Sequence, residues 1–157
     1  MTPGVTVRPV TAEDDAFLCR VYGSTRADEL ALTGWDDAQK AAFVRMQFDA
    51  QRSHYEEHYV GASYGVILVE GEPAGRLYVA RWAGEIRVMD ITLLPEFRNQ
   101  GLGARLLDGL LAEGVATGRR VTIHVEKHNP ARRLYERLGF VVVEDRGLYD
   151  LLSAGGE

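Results

Sequence analysis

The chain has almost no cysteine. Cys19 is the only one, so no disulfide can close within the chain. It falls in an amphipathic helical pattern, which predicts a buried thiol rather than a nucleophile. Basic residues are not in excess. Lys and Arg total 18 against 23 Asp and Glu, a net charge of −5, and nucleic-acid binders usually carry a basic face. No charged start followed by an apolar run marks a secretory leader, and no apolar segment is long enough to cross a bilayer. The expectation is a cytoplasmic protein with neither nucleic-acid nor membrane partners. Internal repeats and low-complexity segments are missing. So is a metal pattern: His54 and His58 share a helix face but have no Cys or carboxylate at a known ligand spacing. What is present, 157 residues at 46% hydrophobic and 26% charged, suits one domain with a proper core. Residues 1–152 are expected to form it, with 153–157 a loose, Gly-rich tail.

Taken in order, Val5 to Val10 alternates as a first strand, and Thr11-Ala12-Glu13-Asp14 opens a helix buried through Phe17, Leu18, Val21 and Tyr22. The segment from Gly23 to Gly34 is ambiguous. Asp36 or Asp37 caps a long helix running to about Tyr59, on which Gln47, Gln51, His54 and His58 form one stripe. That stripe is either a solvated face or the lining of a substrate cleft. Tyr64–Glu70, Ala74–Trp82 and Glu85–Leu93, joined by short turns, read as an antiparallel meander. A helix from about Gln100 follows, with Leu102, Leu106, Leu107, Leu110, Leu111 and Val115 as its apolar stripe. Val121–Val125 is a strand, Pro130–Leu138 a short helix, and Phe140–Val143 and Leu148–Leu152 two final strands. The order predicts an α+β (α/β hybrid) fold, a mixed sheet with about four helices against it.

The stretch from Ile91 to Leu107 carries the chemistry. A strand passes through Pro95 and a glycine bend, Gly101-Leu102-Gly103, into a leucine-rich helix. Such a bend presents unpaired N–H groups at the positive end of a helix dipole, a seat for an anion. A P-loop needs Lys and Ser or Thr after its last glycine, and Ala104-Arg105 stand there. A Rossmann turn needs a third glycine where Leu106 stands.

Arg98-x-x-Gly101-x-Gly103, in that strand-to-helix context, resembles the pyrophosphate loop of the GNAT family, the Gcn5-related N-acetyltransferases. A second segment agrees: Asn129 after a strand, a short helix with Leu134-Tyr135, then Gly139-Phe140. The resemblance covers Glu85 to Phe140. It implies a mostly antiparallel twisted sheet and an acetyl-CoA-dependent N-acetyltransferase. The backbone of Arg98, Asn99, Gln100, Gly101, Leu102, Gly103 and Ala104 would cradle the pyrophosphate, and Ile91, Thr92 and Leu93 would pair with the pantetheine arm. Asn129 would contact the cofactor. Asn129 and Tyr135 are six apart here, where seven is common in the family. Tyr135 would act as general acid toward the leaving thiolate; its bland alternative is a half-buried helix tyrosine.

An amine is protonated at neutral pH and must lose a proton before it attacks a thioester, and the oxyanion needs a donor. The backbone N–H of Leu93 is the expected donor. Asp90 is the preferred base, with Glu85 and His124 as alternatives, and a strand-edge ion pair is the alternative task for Asp90. The acceptor is a small amine or a peptide or protein amine, for which Trp35, His54, Tyr55 and Tyr59 are candidate contacts. The last two strands could pair across a homodimer. Two other readings stay open: a CoA sensor without turnover, and an interaction domain without a cofactor.

Overall fold

Glu70 and Gly71 show how the meander is laid down. Both have positive φ, 50° and 80°, and two consecutive left-handed residues match the twist of the strands that they join. The computed structural model describes residues 4–155. Its strands are β1 (Val5–Pro9), β2 (Ser63–Val69), β3 (Glu72–Arg81), β4 (Glu85–Leu93), β5 (Arg120–Glu126), β6 (Val141–Arg146) and β7 (Tyr149–Ala154). Its helices are α1 (Asp15–Ser24), α2 (Ala27–Ala31), α3 (Asp37–His58), α4 (Leu102–Thr117) and α5 (Arg132–Arg137). The strand order is β1-β2-β3-β4-β5-β7-β6. β1 with β2, β5 with β7, and β6 with β7 pair antiparallel, and β4 with β5 parallel. This is the mixed α+β arrangement that the sequence predicts.

Three details differ from the sequence reading. There are five helices rather than about four among the described residues; α2 fills part of the ambiguous segment. Only Leu30 of its five residues is buried, so it has no apolar period to detect. Ser153 and Ala154, expected in the tail, are buried and end β7 opposite Thr122 and Val121. The last two residues lie outside the described range. Val115, assigned to the buried stripe of α4, is 82% exposed, while Gly114 is buried.

The chain divides into two compact units: residues up to Leu77 with Thr92–Arg98, and Tyr78–Ile91 with residues from Asn99 onward. In the first, Leu18, Tyr22, Phe48 and Val66 form a buried cluster, with Val10, Phe17, Cys19, Val44 and Leu68 against it. Cys19 is half-buried, less than its pattern predicts. The way into α1 is fixed by Asp14. Its carboxylate takes a bidentate pair from Arg8 (2.9 and 2.8 Å) and the Thr11 N–H (2.7 Å), and these donors hold its pKa well below the usual carboxylate range. Asp36 caps α3 by accepting from the Gln39 N–H (2.8 Å), and the Gln39 side chain accepts from the Asp36 N–H (3.0 Å).

In the second unit Leu102, Leu107 and Leu110 of α4 are buried, as are Ile86, Val88, Val121, Ile123, Val125 and Leu152 of the strands. α4 ends on Gly118 in the left-handed region (φ 66°). At Gly114 a Cβ would lie 2.6 Å from the Arg119 carbonyl oxygen and 3.2 Å from Val121 Cγ2. That close approach turns the chain from α4 into β5.

Candidate functional site

α4 starts from a left-handed Gly101 (φ 76°) with no side-chain cap. Asn99 also has positive φ (60°). The first backbone bond of the helix runs from Arg105 N–H to the Gly101 carbonyl (3.2 Å). The N–H groups of Leu102, Gly103 and Ala104 therefore come before any intrahelical partner. A Cβ on Gly103 would meet nothing nearer than Leu134 Cδ2 at 3.8 Å, an ordinary contact. Packing does not require glycine there.

The other end of the predicted loop behaves differently. Arg98 turns its guanidinium back: Nε donates to the Leu93 carbonyl (2.9 Å) and Nη2 reaches Ser24 Oγ (3.4 Å). The structure thus gives Arg98 a bond to the strand end. Leu94 N–H donates to the Ala74 carbonyl (2.8 Å). Neighbouring residues of an extended strand send their N–H groups to opposite edges, so the Leu93 N–H points away from β3. A Cβ on Gly75 would run into the Thr92 carbonyl, so Gly75 lets these two strands come close.

β4 and β5 part company early. Their parallel register runs from Glu85↔Arg120 to Val88↔Ile123, though β5 continues to Glu126. Met89, Asp90 and Ile91 thus extend past the last paired rung. Tyr135, on α5, is 6% exposed and sits edge-on to Phe140 (6.0 Å between centroids). Burial, and then the nearby charge of Asp90, push its phenol up to about 12. The structure thus brings Asp90 and Tyr135 within electrostatic reach of one another.

Glu85 is held elsewhere. It accepts from Arg87 Nη2 (2.8 Å), Arg120 Nη2 (3.0 Å) and the Thr122 hydroxyl. Burial alone would raise its pKa, but these donors together lower it. His124 is half-buried, and burial followed by Arg87 and Arg146 lowers its pKa. Asn129 uses its side-chain oxygen locally, accepting from the Ala131 N–H (2.8 Å), and α5 begins only at Arg132.

Three of the suggested acceptor contacts lie side by side at the end of α3, with the His54 and Tyr55 rings 6.2 Å apart and those of Tyr55 and Tyr59 6.0 Å apart. Trp35 lies against Phe43 (5.4 Å), and His54 stacks on His58 (4.2 Å) on an exposed part of α3. Of their stripe, Gln51 has a defined task, accepting from the buried Arg76 (2.8 Å). An open groove of about 880 Å³ does run along α1 and α3, lined by Cys19, Arg20, Ser24, Lys40, Val44 and Leu94 among others, and by none of the four suggested residues. Among the described residues no group of three or more His, Cys, Asp or Glu is placed to hold a metal, and no helix is long and apolar enough to cross a membrane.

Known structures resemble this one along nearly its whole length. A PaiA N-acetyltransferase from Thermoplasma acidophilum, solved with coenzyme A, superposes with a TM-score of 0.72 at 14% identity, covering 97% of this chain and 99% of that one. An acetyltransferase from Thermus thermophilus gives 0.69 at 24% identity, with 99% and 97% covered. A GNAT family acetyltransferase from Elizabethkingia anophelis with acetyl-CoA bound gives 0.64 at 14%, with 96% and 97% covered. At these identities the likeness is one of fold. The sequence itself matches the model of the Acetyltransferase (GNAT) family over residues 25–140, most of the chain, and the chain therefore belongs to the GNAT acetyltransferase family.

Proposed function

We propose that the chain moves an acetyl group from acetyl-CoA to a primary amine, by direct attack of the amine while both substrates are bound. The observation that carries this reading is the start of α4. It offers unpartnered N–H groups, and it has a glycine, Gly103, for which packing gives no reason. Glycine in a helix costs about 1 kcal/mol relative to alanine, and the close approach of a phosphate to the backbone explains why that cost is tolerated. The backbone from Arg98 to Ala104 is assigned to the pyrophosphate and Ile91–Leu93 to the pantetheine arm. The chain up to the end of β7 at Ala154 acts as one domain in this reading.

The chain's own groups then divide the reaction. The Leu93 N–H donates to the thioester carbonyl oxygen as negative charge builds there. Asp90 accepts the proton that the incoming ammonium must lose. It takes this role ahead of Glu85 and His124 because it lies beyond the last β4–β5 rung, at the reacting end of the strand. Tyr135 stays protonated at every physiological pH. Its phenol, near 12, is a weaker acid than a thiol at about 8.5. It therefore acts on the leaving group through a hydrogen bond that steadies the sulfur as the C–S bond breaks, and the proton that the thiolate finally takes up is made good by the one that the newly acetylated nitrogen sheds. Asn129 is left with its amide N–H₂ for a cofactor contact.

Two measurements test the reading: calorimetry with CoA, and release of free thiol from acetyl-CoA against a broad panel of amines. Saturable binding with amine-dependent thiol release is expected. CoA binding with no release from any amine would make the chain a CoA sensor of the same fold. Absence of binding at millimolar CoA would remove both.

A further inference from the structure

One face of the sheet carries a polar cluster that the proposed chemistry leaves unused. Glu85 and Arg120 are register partners, as are Arg87 and Thr122, so all four residues share a face. His124 is two residues further along β5, and Arg146 reaches it from β6. Arg87 and His124 thus flank the rung where β4 and β5 separate. Arg87 is 7% exposed. Its Nε donates to Thr122 Oγ1 (2.7 Å) and its Nη2 to Glu85 (2.8 Å), and its third nitrogen, Nη1, faces His124 Nδ1 at 3.5 Å. The Trp82 ring lies over the guanidinium at 5.3 Å. On the far side of the imidazole, Arg146 Nη1 stands 2.7 Å from Nε2.

These contacts cannot all be good hydrogen bonds. A neutral imidazole has one acceptor nitrogen and one N–H, and the guanidiniums on both sides are donors only. The short contact takes the acceptor, so Nε2 receives Arg146 and Nδ1 carries the proton. Nδ1–H then faces Arg87 Nη1–H, donor against donor. A buried guanidinium nitrogen and an imidazole N–H that converge without an acceptor between them call for an oxygen that both can reach. Protonating the ring would make matters worse, and burial with the two flanking arginines keeps it neutral. The charge of the cluster limits what that oxygen belongs to. Arg87, Arg120 and Arg146 stand against Glu85 and Glu144, which leaves one net positive charge. Glu126, two residues beyond His124 on the same strand face, disfavours a dianion.

We propose that Arg87 Nη1 and His124 Nδ1–H form a subsite for a carboxylate on the acceptor, with Arg146 as the positioning residue that fixes the ring through Nε2, so that the amine acetylated is that of an amino acid or peptide bearing a nearby free carboxylate. This rests on the acetyl-transfer reading for its biological meaning but not for its test. The first arm needs no turnover. The His124 ring resonances of the full chain are followed while N-acetylglycine or its amide is added. The carboxylate is expected to shift them saturably and to raise the pH at which the ring titrates; the amide is expected to do neither. Equal shifts from both compounds, or none from either, overturn the subsite. Inorganic phosphate displacing N-acetylglycine at lower concentration overturns the carboxylate assignment in favour of a phosphate. The second arm compares kcat/KM for free amino acids and dipeptides with that for their C-terminal amides. The carboxylate forms are expected to be at least tenfold better, and Arg146→Gln, checked for an unchanged melting curve, to bring the ratio towards one. An unchanged ratio in the variant, or amides as good as carboxylates in the parent, overturns the proposal. If no acceptor releases thiol, the acetyl-transfer reading fails, and the resonance titration alone decides the subsite.

Discussion

Tyr135 makes two predictions at the scale of one residue. On the proposed mechanism Tyr135→Phe takes away a donor to the departing sulfur and little packing, so kcat should fall on the order of 10²-fold while calorimetric CoA affinity holds. A fully active variant would take Tyr135 out of the mechanism. The same phenol sets an alkaline limit on stability. Unfolded, it ionises near pH 10; folded, it holds its proton to about 12. Between those values the unfolded chain binds fewer protons, so stability should fall as pH rises through this window, by up to about 2–3 kcal/mol, and be unaffected below it. Denaturant melts of the parent and Tyr135→Phe at pH 8 and 11 would show whether the difference between them grows as predicted. Asp14 has the opposite sign. Its folded pKa lies below its unfolded value because Arg8 and Thr11 donate to the carboxylate. Its contribution is therefore complete above about pH 4 and lost as pH falls below. Asp14→Ala should cost about 1–3 kcal/mol at pH 7, with a smaller difference from the parent in acid.

At the scale of elements, two glycines of α4 separate a structural task from a functional one. Gly114 is pressed against the Arg119 carbonyl, so Gly114→Ala should overpack the α4-to-β5 turn and destabilise by about 1–3 kcal/mol. Gly103 has room for a Cβ. Gly103→Ala should therefore leave the fold as stable as before, or up to about 1 kcal/mol more stable, yet weaken CoA binding by tenfold or more. Thermal melts with and without CoA read both effects. A Gly103→Ala protein that binds CoA normally would show that the residue has no ligand to accommodate. The elements themselves were largely legible in the sequence. Glu70-Gly71 and Ala83-Gly84 fixed the hairpins, and strand β4 runs over Glu85–Leu93 as read. α2 escaped because five residues with one buried leucine carry no period.

At the scale of the whole molecule, direct transfer predicts that no acetyl group stays on the protein. Intact mass after mixing with acetyl-CoA should be unchanged; a stoichiometric acetyl adduct on Cys19 would overturn direct transfer. Cys19 lies half-buried along the groove between α1 and α3, so a negative result would reflect the reaction rather than an inaccessible thiol.

The sequence alone determined what local chemistry and short-range pattern can encode: the mixed fold, the glycine bend opening α4, and the segment from Asn129 to Phe140 that carries Tyr135. Those features depend on neighbours within a turn or a strand, and a single chain spells them out. Only the tertiary structure decided that Glu85 is bound by three donors and that Arg98 folds onto the Leu93 carbonyl. It alone set the charge of Asp90 near Tyr135 and aimed Arg87 and Arg146 at opposite nitrogens of His124. A charged side chain's task depends on its partners, and these partners come from β4, β5, β6 and α5. Residues tens of positions apart meet only when the strands are in register, and no periodicity in the sequence records that meeting.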